Sequence, residues 1–203
     1  KLGAFEFIQK PFSSERLINF INRAIENTEL KKDKRVLENK LFNSYDIIGK
    51  SQSIEKIKNL INKLGNTESR IFISGPAGSG KELVARQIHK QSSRSKKPFV
   101  VVNGALLDPQ KYELELFGQE NKDNTKNFGF FEKAKDGTLL IDEVTEIPLE
   151  TQAKILRVLI DQKFRRVNGL EEINVNVRII STSSKNIREE VDQGNFREDL
   201  YHR

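Results

Sequence analysis

The run GPAGSGKE, Gly75 to Glu82, constrains this chain more than any other stretch. It follows RIFIS, which reads as a buried strand, and it precedes Val84, Ala85 and Ile88, which recur at helical spacing. A strand, a glycine loop and a helix in that order aim backbone N–H groups and the positive end of the helix at one spot, which is a cradle for linked phosphates. Gly75, Pro76, Ala77, Gly78, Ser79 and Gly80 would wrap the phosphates, and Lys81 would reach the terminal ones. The general pattern G-x-x-x-x-G-K-[ST] ends in a hydroxyl that holds Mg²⁺, whereas this chain places Glu82 there. A carboxylate can still meet the ion through water, or sit in the first helical turn where the dipole favours negative charge.

A second acidic element supports ATP as the ligand. GTLLIDE is an apolar strand that ends in Asp142 and Glu143, well downstream of the loop. Asp142 would hold Mg²⁺, directly or through water, and Glu143 would polarise the attacking water as general base. From Tyr45 onward, strand-like runs (RIFIS, PFVVVN, TLLID, VNVRIIST) alternate with helical ones (SIEKIKNLINKLG, KELVARQIHKQS, LETQAKILRVLID). That alternation predicts an α/β fold, a parallel sheet covered by helices on both faces. Ile54, Ile57, Leu60, Ile61 and Leu64 predict an amphipathic helix. Asn168–Gly169, flanked by strand formers, predicts a hairpin.

Composition sets the outer limits. With Cys 0 there is no thiolate metal site or disulfide, and with only His89 and His202 a zinc site is not expected. No apolar run approaches a membrane span and no signal peptide opens the chain, so the expectation is a cytoplasmic protein with no membrane partner. The absence of methionine predicts an excerpt or a processed chain. The net charge of +6 is spread along the whole length and reads as a solvated surface.

Residues 1–44 read differently. Phe5 to Ile8 are strand-like, Lys10-Pro11-Phe12 ends the strand, and Leu17, Ile18, Ile21, Ala24 and Ile25 share a helical face. Charge then dominates through Arg35, which reads as a helical, solvated linker. The expected division is 1–28, 29–44 and 45–203.

The stretches IIGKSQSI, GPAGSGKELVARQIH, SSRSKKPFVVVNGALL, ELELFG, GTLLIDEV, PLETQAKILRVL, VRII and FREDLYHR together resemble the central ATPase domain of bacterial enhancer-binding proteins, the AAA+ activators of sigma-54 RNA polymerase. The phosphate loop of that family commonly ends in G-K-E. The resemblance implies a three-layer α-β-α AAA+ P-loop domain that continues past FREDLYHR into another strand and a helical lid. It implies that Asn103 partners Glu143 when ATP is bound. Arg197 and Arg203 match arginines offered to the ATP of a neighbouring copy, so self-association is implied. GAFEFIQKPF resembles the last strand of a flavodoxin-like receiver domain, with Lys10 matching the lysine at its phosphoryl site. Pro11 matches a proline usually preceded by a cis bond, and Phe7 the switch aromatic. A sensor histidine kinase is then the implied partner, and DNA would be bound through a C-terminal domain outside this chain.

Two departures refine the expectation. The sensor strand of the family usually ends in Thr-Asn, and this chain has Ser183 and Ser184. Most activators also carry a G-A-F-T-G-A loop that touches the sigma factor. Here the segment is QENKDNTKNFGFFE, which is shorter, polar and without that hexapeptide. Phe128, Phe130 and Phe131 are expected in the core. The pattern resembles the NtrX branch of the NtrC family, a transcription-controlling response regulator not expected to remodel sigma-54 polymerase by the usual route. The alternatives are a full sigma-54 activator with a diverged loop, and an ATP-binding assembly module with little turnover.

Overall fold

The computed structural model describes residues 17–19, 21, 22, 24, 25 and 46–203 apart from 122 and 124. The chain divides into two units, Lys1–Asp46 and Ile47–Arg203. In the first, residues 17–19, 21, 22, 24 and 25 are helical. The expected strand at Phe5 to Ile8, Lys10 and the linker at 29–44 lie outside the described residues.

The second unit is built on a parallel sheet of four strands: β1 (Ile71–Ser74), β2 (Phe99–Asn103), β5 (Thr138–Asp142) and β8 (Arg178–Ser183), in the order β1-β8-β5-β2. Helices α1 (Gln52–Gly65), α2 (Lys81–Lys90) and α5 (Leu149–Asp161) are the long ones, joined by short α3 (Tyr112–Phe117), α4 (Phe130–Lys133), α6 (Ile187–Asp192) and α7 (Glu198–Tyr201). Side chains alternate across a pleated strand, so each strand feeds two cores. Ile71, Leu140 and Ile180 pack with Ile61, Ala85 and Ile88 from α1 and α2. Leu139, Ile141, Ile179 and Val102 pack with Phe117, Phe131 and Ile155 on the opposite face. This is the expected α-β-α arrangement.

Ser51 caps α1, its hydroxyl accepting from the Ile54 amide at 3.3 Å, a contact worth about 1 kcal/mol. The stripe predicted for α1 is only partly buried. Ile61 is enclosed, whereas Ile57 and Leu60 are exposed at 36% and 56%. The reason is that α1 touches the sheet side chiefly through its C-terminal half, against α2.

Two small hairpins stand apart from the main sheet. β3 (Gln119–Glu120) pairs with β4 (Lys126–Asn127), and β6 (Lys163–Arg165) pairs with β7 (Glu172–Asn174), each antiparallel. The second is the hairpin expected around Asn168–Gly169, with Asn168 left-handed at φ 62. The two are sewn together. The Glu120 amide donates to Val167 O at 3.0 Å and the Val167 amide to Gly118 O at 2.9 Å. Arg166, only 7% exposed, forks between Glu132 (2.6 and 2.8 Å) and Glu120 (2.7 Å). The Phe expectation needs one correction. Phe131 is fully buried, but Phe128 is 58% exposed and lies under the Arg166 guanidinium. It sits in the turn between β4 and α4, ahead of the helix that carries Phe131 inward.

Candidate active site

The chemistry gathers at the carboxyl ends of β1, β5 and β8. The loop after β1 is steered by Gly78 and Gly80, at φ 77 and 87, a region that other residues enter only with strain. Gly80 leads into α2 with no side-chain cap. The first amides of a helix have no acceptor within it, so Lys81, Glu82 and Leu83 present N–H groups toward the loop. A Cβ at Gly78 would meet nothing within 4 Å, so the cradle is open above the loop. Its donors and its shape fit a phosphate chain.

Lys81 is 8% exposed and its ammonium is fully engaged. It donates to Gly75 O at 2.9 Å and Pro76 O at 3.3 Å, and it pairs with Glu143 Oε1 at 3.2 Å. Glu82 adopts the helical-turn alternative. It pairs with Arg86 one turn on, at 2.6 Å.

Strand register places the acids. Asn103 is the partner of Asp142 across β2 and β5, and Ile141 is that of Ser181 across β5 and β8. Asp142 therefore lies between Asn103 and Thr182. Asn103 Nδ2 donates to Asp142 Oδ2 at 2.7 Å, and the Thr182 hydroxyl donates to Asp142 Oδ1. Asn103 pairs with Asp142 because the register puts those two side by side, and its expected partnership with Glu143 concerns the ATP-bound site. Each carboxylate oxygen keeps a further lone pair, a hard oxygen donor suited to Mg²⁺ or its waters.

Glu143 turns sharply out of the strand at φ 52. Its amide donates to Thr182 Oγ1 at 3.1 Å. Its Oε2 accepts from the Ser184 amide at 2.7 Å and the Ser184 hydroxyl at 2.8 Å. Burial alone would raise the Glu143 pKa; the two Ser184 donors and Lys81 outweigh it and hold the carboxyl below its ordinary value. Gly104 makes room for this turn, since a Cβ there would stand 2.5 Å from the Glu143 carbonyl oxygen.

Thr182 and Thr145 are the residues that sequence reasoning left without a role at this site, and Ser184 was read only as the end of the sensor strand. Thr145 meets Ser183 through their hydroxyls at 3.0 Å. The cluster TSS at the end of an apolar strand was the available signal, since hydroxyls at a strand end beside an acidic strand have carboxylates within reach.

Arg197 and Arg203 lie at the C-terminal side of this unit. Arg197 forks onto Asp199 at 2.6 and 3.0 Å, and its amide donates to the Gln152 side-chain oxygen at 2.9 Å. Gln152 is fully buried, and its nitrogen donates to Ile147 O at 2.8 Å and to Asn195 O at 3.1 Å. The Arg203 carbonyl accepts from Arg70 at 3.3 Å. Among the described residues, no hydrogen bond or ion pair joins either arginine to the Lys81–Glu143 cluster. Nor does any described helix have the length and apolarity to cross a membrane.

Known proteins share this fold. Residues 47–203 match the model of the sigma-54 interaction domain. The chain is 44% identical to the nitrogen assimilation regulatory protein NtrX of Azorhizobium caulinodans, over 100% of this chain and 45% of that protein. It superposes on the crystal structure of NtrX from Brucella abortus with a TM-score of 0.85 and 46% identity, covering 99% of this chain and 44% of the other. A structure of the same Brucella protein in complex with ATP gives a TM-score of 0.79 at 46% identity, covering 98% and 45%. The chain thus spans less than half the length of these relatives.

Proposed function

This chain belongs to the sigma-54 interaction domain family, and from that premise we propose that it is the ATP-binding core of an NtrX-type two-component response regulator. The observation that carries the reading is the convergence of Lys81 and Glu143, 3.2 Å apart, at the open end of a parallel sheet beside Asp142. ATP bound in complex with a 46% identical NtrX supports the same ligand here.

In this reading the loop from Gly75 to Gly80 and the first amides of α2 bind the phosphates, and Lys81 leaves Gly75 and Glu143 to neutralise the terminal ones. Asp142, oriented by Asn103 and Thr182, holds Mg²⁺, which when bound draws charge from the phosphate oxygens. Glu143 orients the attacking water and accepts its proton. Arg197 and Arg203 are offered to the ATP of a neighbouring copy, so turnover depends on self-association. Arg197 must first leave Asp199. Upstream, a receiver domain that includes Lys10 takes its phosphoryl group from a sensor histidine kinase. Downstream, a domain outside this chain contacts DNA, and the protein works in the cytoplasm. The β3–β4 hairpin, short, polar and tied to its neighbour, argues against contact with sigma-54 polymerase through that loop.

ATP hydrolysis by the full-length protein, measured against protein concentration, tests this. The specific rate should rise as copies associate, and Arg203→Ala should lower it at least tenfold without weakening ATP binding, in line with arginines supplied in trans. A background rate at every concentration, with ATP bound, would leave an assembly module in place of an ATPase.

A further inference from the structure

The sheet has a second charged end. The phosphate loop follows the carboxyl end of β1, whereas Arg70 precedes that strand and Arg178 opens β8 at the amino side. There the loop before β1, the end of α5 and the segment before β8 enclose a cavity of about 330 Å³, toward the small end of the range for ligand sites. Phe131, Val158 and Ile179 contribute apolar wall. Three guanidiniums line it, those of Arg70, Arg94 and Arg178, against one carboxylate, Glu68.

Both Glu68 oxygens already have donors, the Ser93 hydroxyl at 2.7 Å and Arg94 Nε at 2.8 Å. Arg94 also donates to Gly137 O and to both oxygens of Asn176. Arg178 stands apart. It is 2% exposed. Its Nη2 donates to Leu64 O at 2.7 Å and its Nε to Ser69 O at 3.4 Å. Leu64 lies in the last turn of α1, where the aligned peptide dipoles leave partial negative charge, so Arg178 caps that helix. That accounts for two of its nitrogens. The third, Nη1, is buried and has no hydrogen-bond partner among the described residues. Burial lowers the Arg178 pKa, with Arg94 acting in the same sense and Glu68 against it. An arginine nevertheless stays charged, and a buried charge with no counter-ion is costly.

We propose that this cavity binds a small organic anion, a carboxylate or phosphate group on a short carbon body. The oxyanion supplies the acceptor that Nη1 lacks and the negative charge that the three guanidiniums outnumber. Nη1 is shielded from solvent, so the guanidinium shifts toward the ligand as it binds. The carbon body lies against Phe131, Val158 and Ile179. The phosphate loop takes no part, so this site stands or falls independently of the ATPase reading.

Calorimetric titration of the full-length Lys81→Met protein with butyrate and, separately, with inorganic phosphate tests this. The substitution keeps phosphate in the glycine loop from counting, and chloride at matched ionic strength is the control. Saturable binding is expected for at least one of the two anions, and the tighter one identifies the head group. Arg178 caps α1, so its removal would mix binding with stability. Asn176→Asp avoids that. Asn176 is exposed, and aspartate keeps the oxygen that accepts from Arg94 while bringing a resident carboxylate to the cavity. Anion affinity should fall at least about tenfold, with the melting temperature unchanged or raised. That difference also separates this cavity from any other anion site in the full-length chain. Binding no stronger than that of chloride for both anions, or binding that Asn176→Asp leaves intact, overturns the proposal.

Discussion

Two charged networks in this unit differ in what they leave available. At the ends of β1, β5 and β8, Lys81, Glu143, Asp142, Asn103 and the hydroxyls of Thr182 and Ser184 satisfy one another beside the open phosphate loop. Where the β3–β4 and β6–β7 hairpins meet, Arg166 is enclosed and forked between Glu120 and Glu132. In the first network the acceptors of the Lys81 ammonium are oxygens whose place phosphate oxygens would take in the proposed reading. The second has no such substitute, because separating the hairpins would strand a guanidinium among carboxylates with little water. The lesson concerns exchange: a paired charge next to an open cradle marks a place where a ligand can trade in, and a paired charge inside a hairpin junction marks a fastener.

The sharpest way to break this comparison is at Lys81. Lys81→Met removes the ammonium from the cradle, and nucleotide affinity should fall by at least about 100-fold, the loss of charge-assisted contacts to phosphate. The fold should survive, since the methionine stem fills the same space. Equilibrium binding of a fluorescent ATP analogue, with thermal melting as the control, measures both. Retained affinity would place the phosphates elsewhere.

At the hairpin junction the opposite pattern is expected. Arg166→Ala should destabilise by about 2–3 kcal/mol, because it leaves Glu132 and Glu120 facing each other partly buried. ATP affinity should stay near that of wild type. Denaturant unfolding gives the stability. Hydrogen exchange at the Glu120 and Val167 amides, which hold the hairpins together, reports whether the loss is local.

The smallest effect lies within α2, which starts at the phosphate loop and carries His89 in its last turn. That imidazole is 5% exposed and its Nδ1 lies 2.9 Å from the Thr138 hydroxyl. Burial, aided by the charges of Arg178, Arg86 and Arg94 against a bond from the Lys97 backbone, lowers its pKa from 6.5 to about 4. The folded state therefore favours the neutral ring. Its contribution is complete above about pH 6.5 and is lost progressively as the pH falls toward about 4. Melting temperature should decline across that window in wild type, and His89→Phe should decline less steeply. Equal slopes would mean the ring titrates normally.

The phosphate loop and the acidic strand were legible because their information is local. Glycines, a lysine and two acids stand in order at the ends of apolar runs, and the parallel sheet follows from the alternation around them. What escaped depends on register between distant segments. That Asn103 faces Asp142 is decided by how β2 slides along β5, and nothing in VVVNG fixes that offset. Ser184 looked like a shortened phosphate sensor until β8 brought it to Glu143. Arg166, in KFRRVNG, reads as one of two surface cations, and only Glu120 and Glu132, far off in sequence, mark it as the interior one. Phe128 misled in the reverse sense. Three phenylalanines in four positions look like core, but Phe128 lies in the turn before α4, and only Phe130 and Phe131 in the helix reach the core.

Gln152 repays one last look. A single primary amide spans three backbone groups from two segments: the Ile147 carbonyl in the turn that follows the acids, and the Asn195 carbonyl and Arg197 amide in the loop before α7. Glutamate in its place would lack the N–H groups that both carbonyls need, and leucine would orphan all three. The separation between the acidic corner and the start of the arginine-bearing segment is therefore set by the length of one side chain. Displacement of either end is passed to the other with little slack, as through a tie rod.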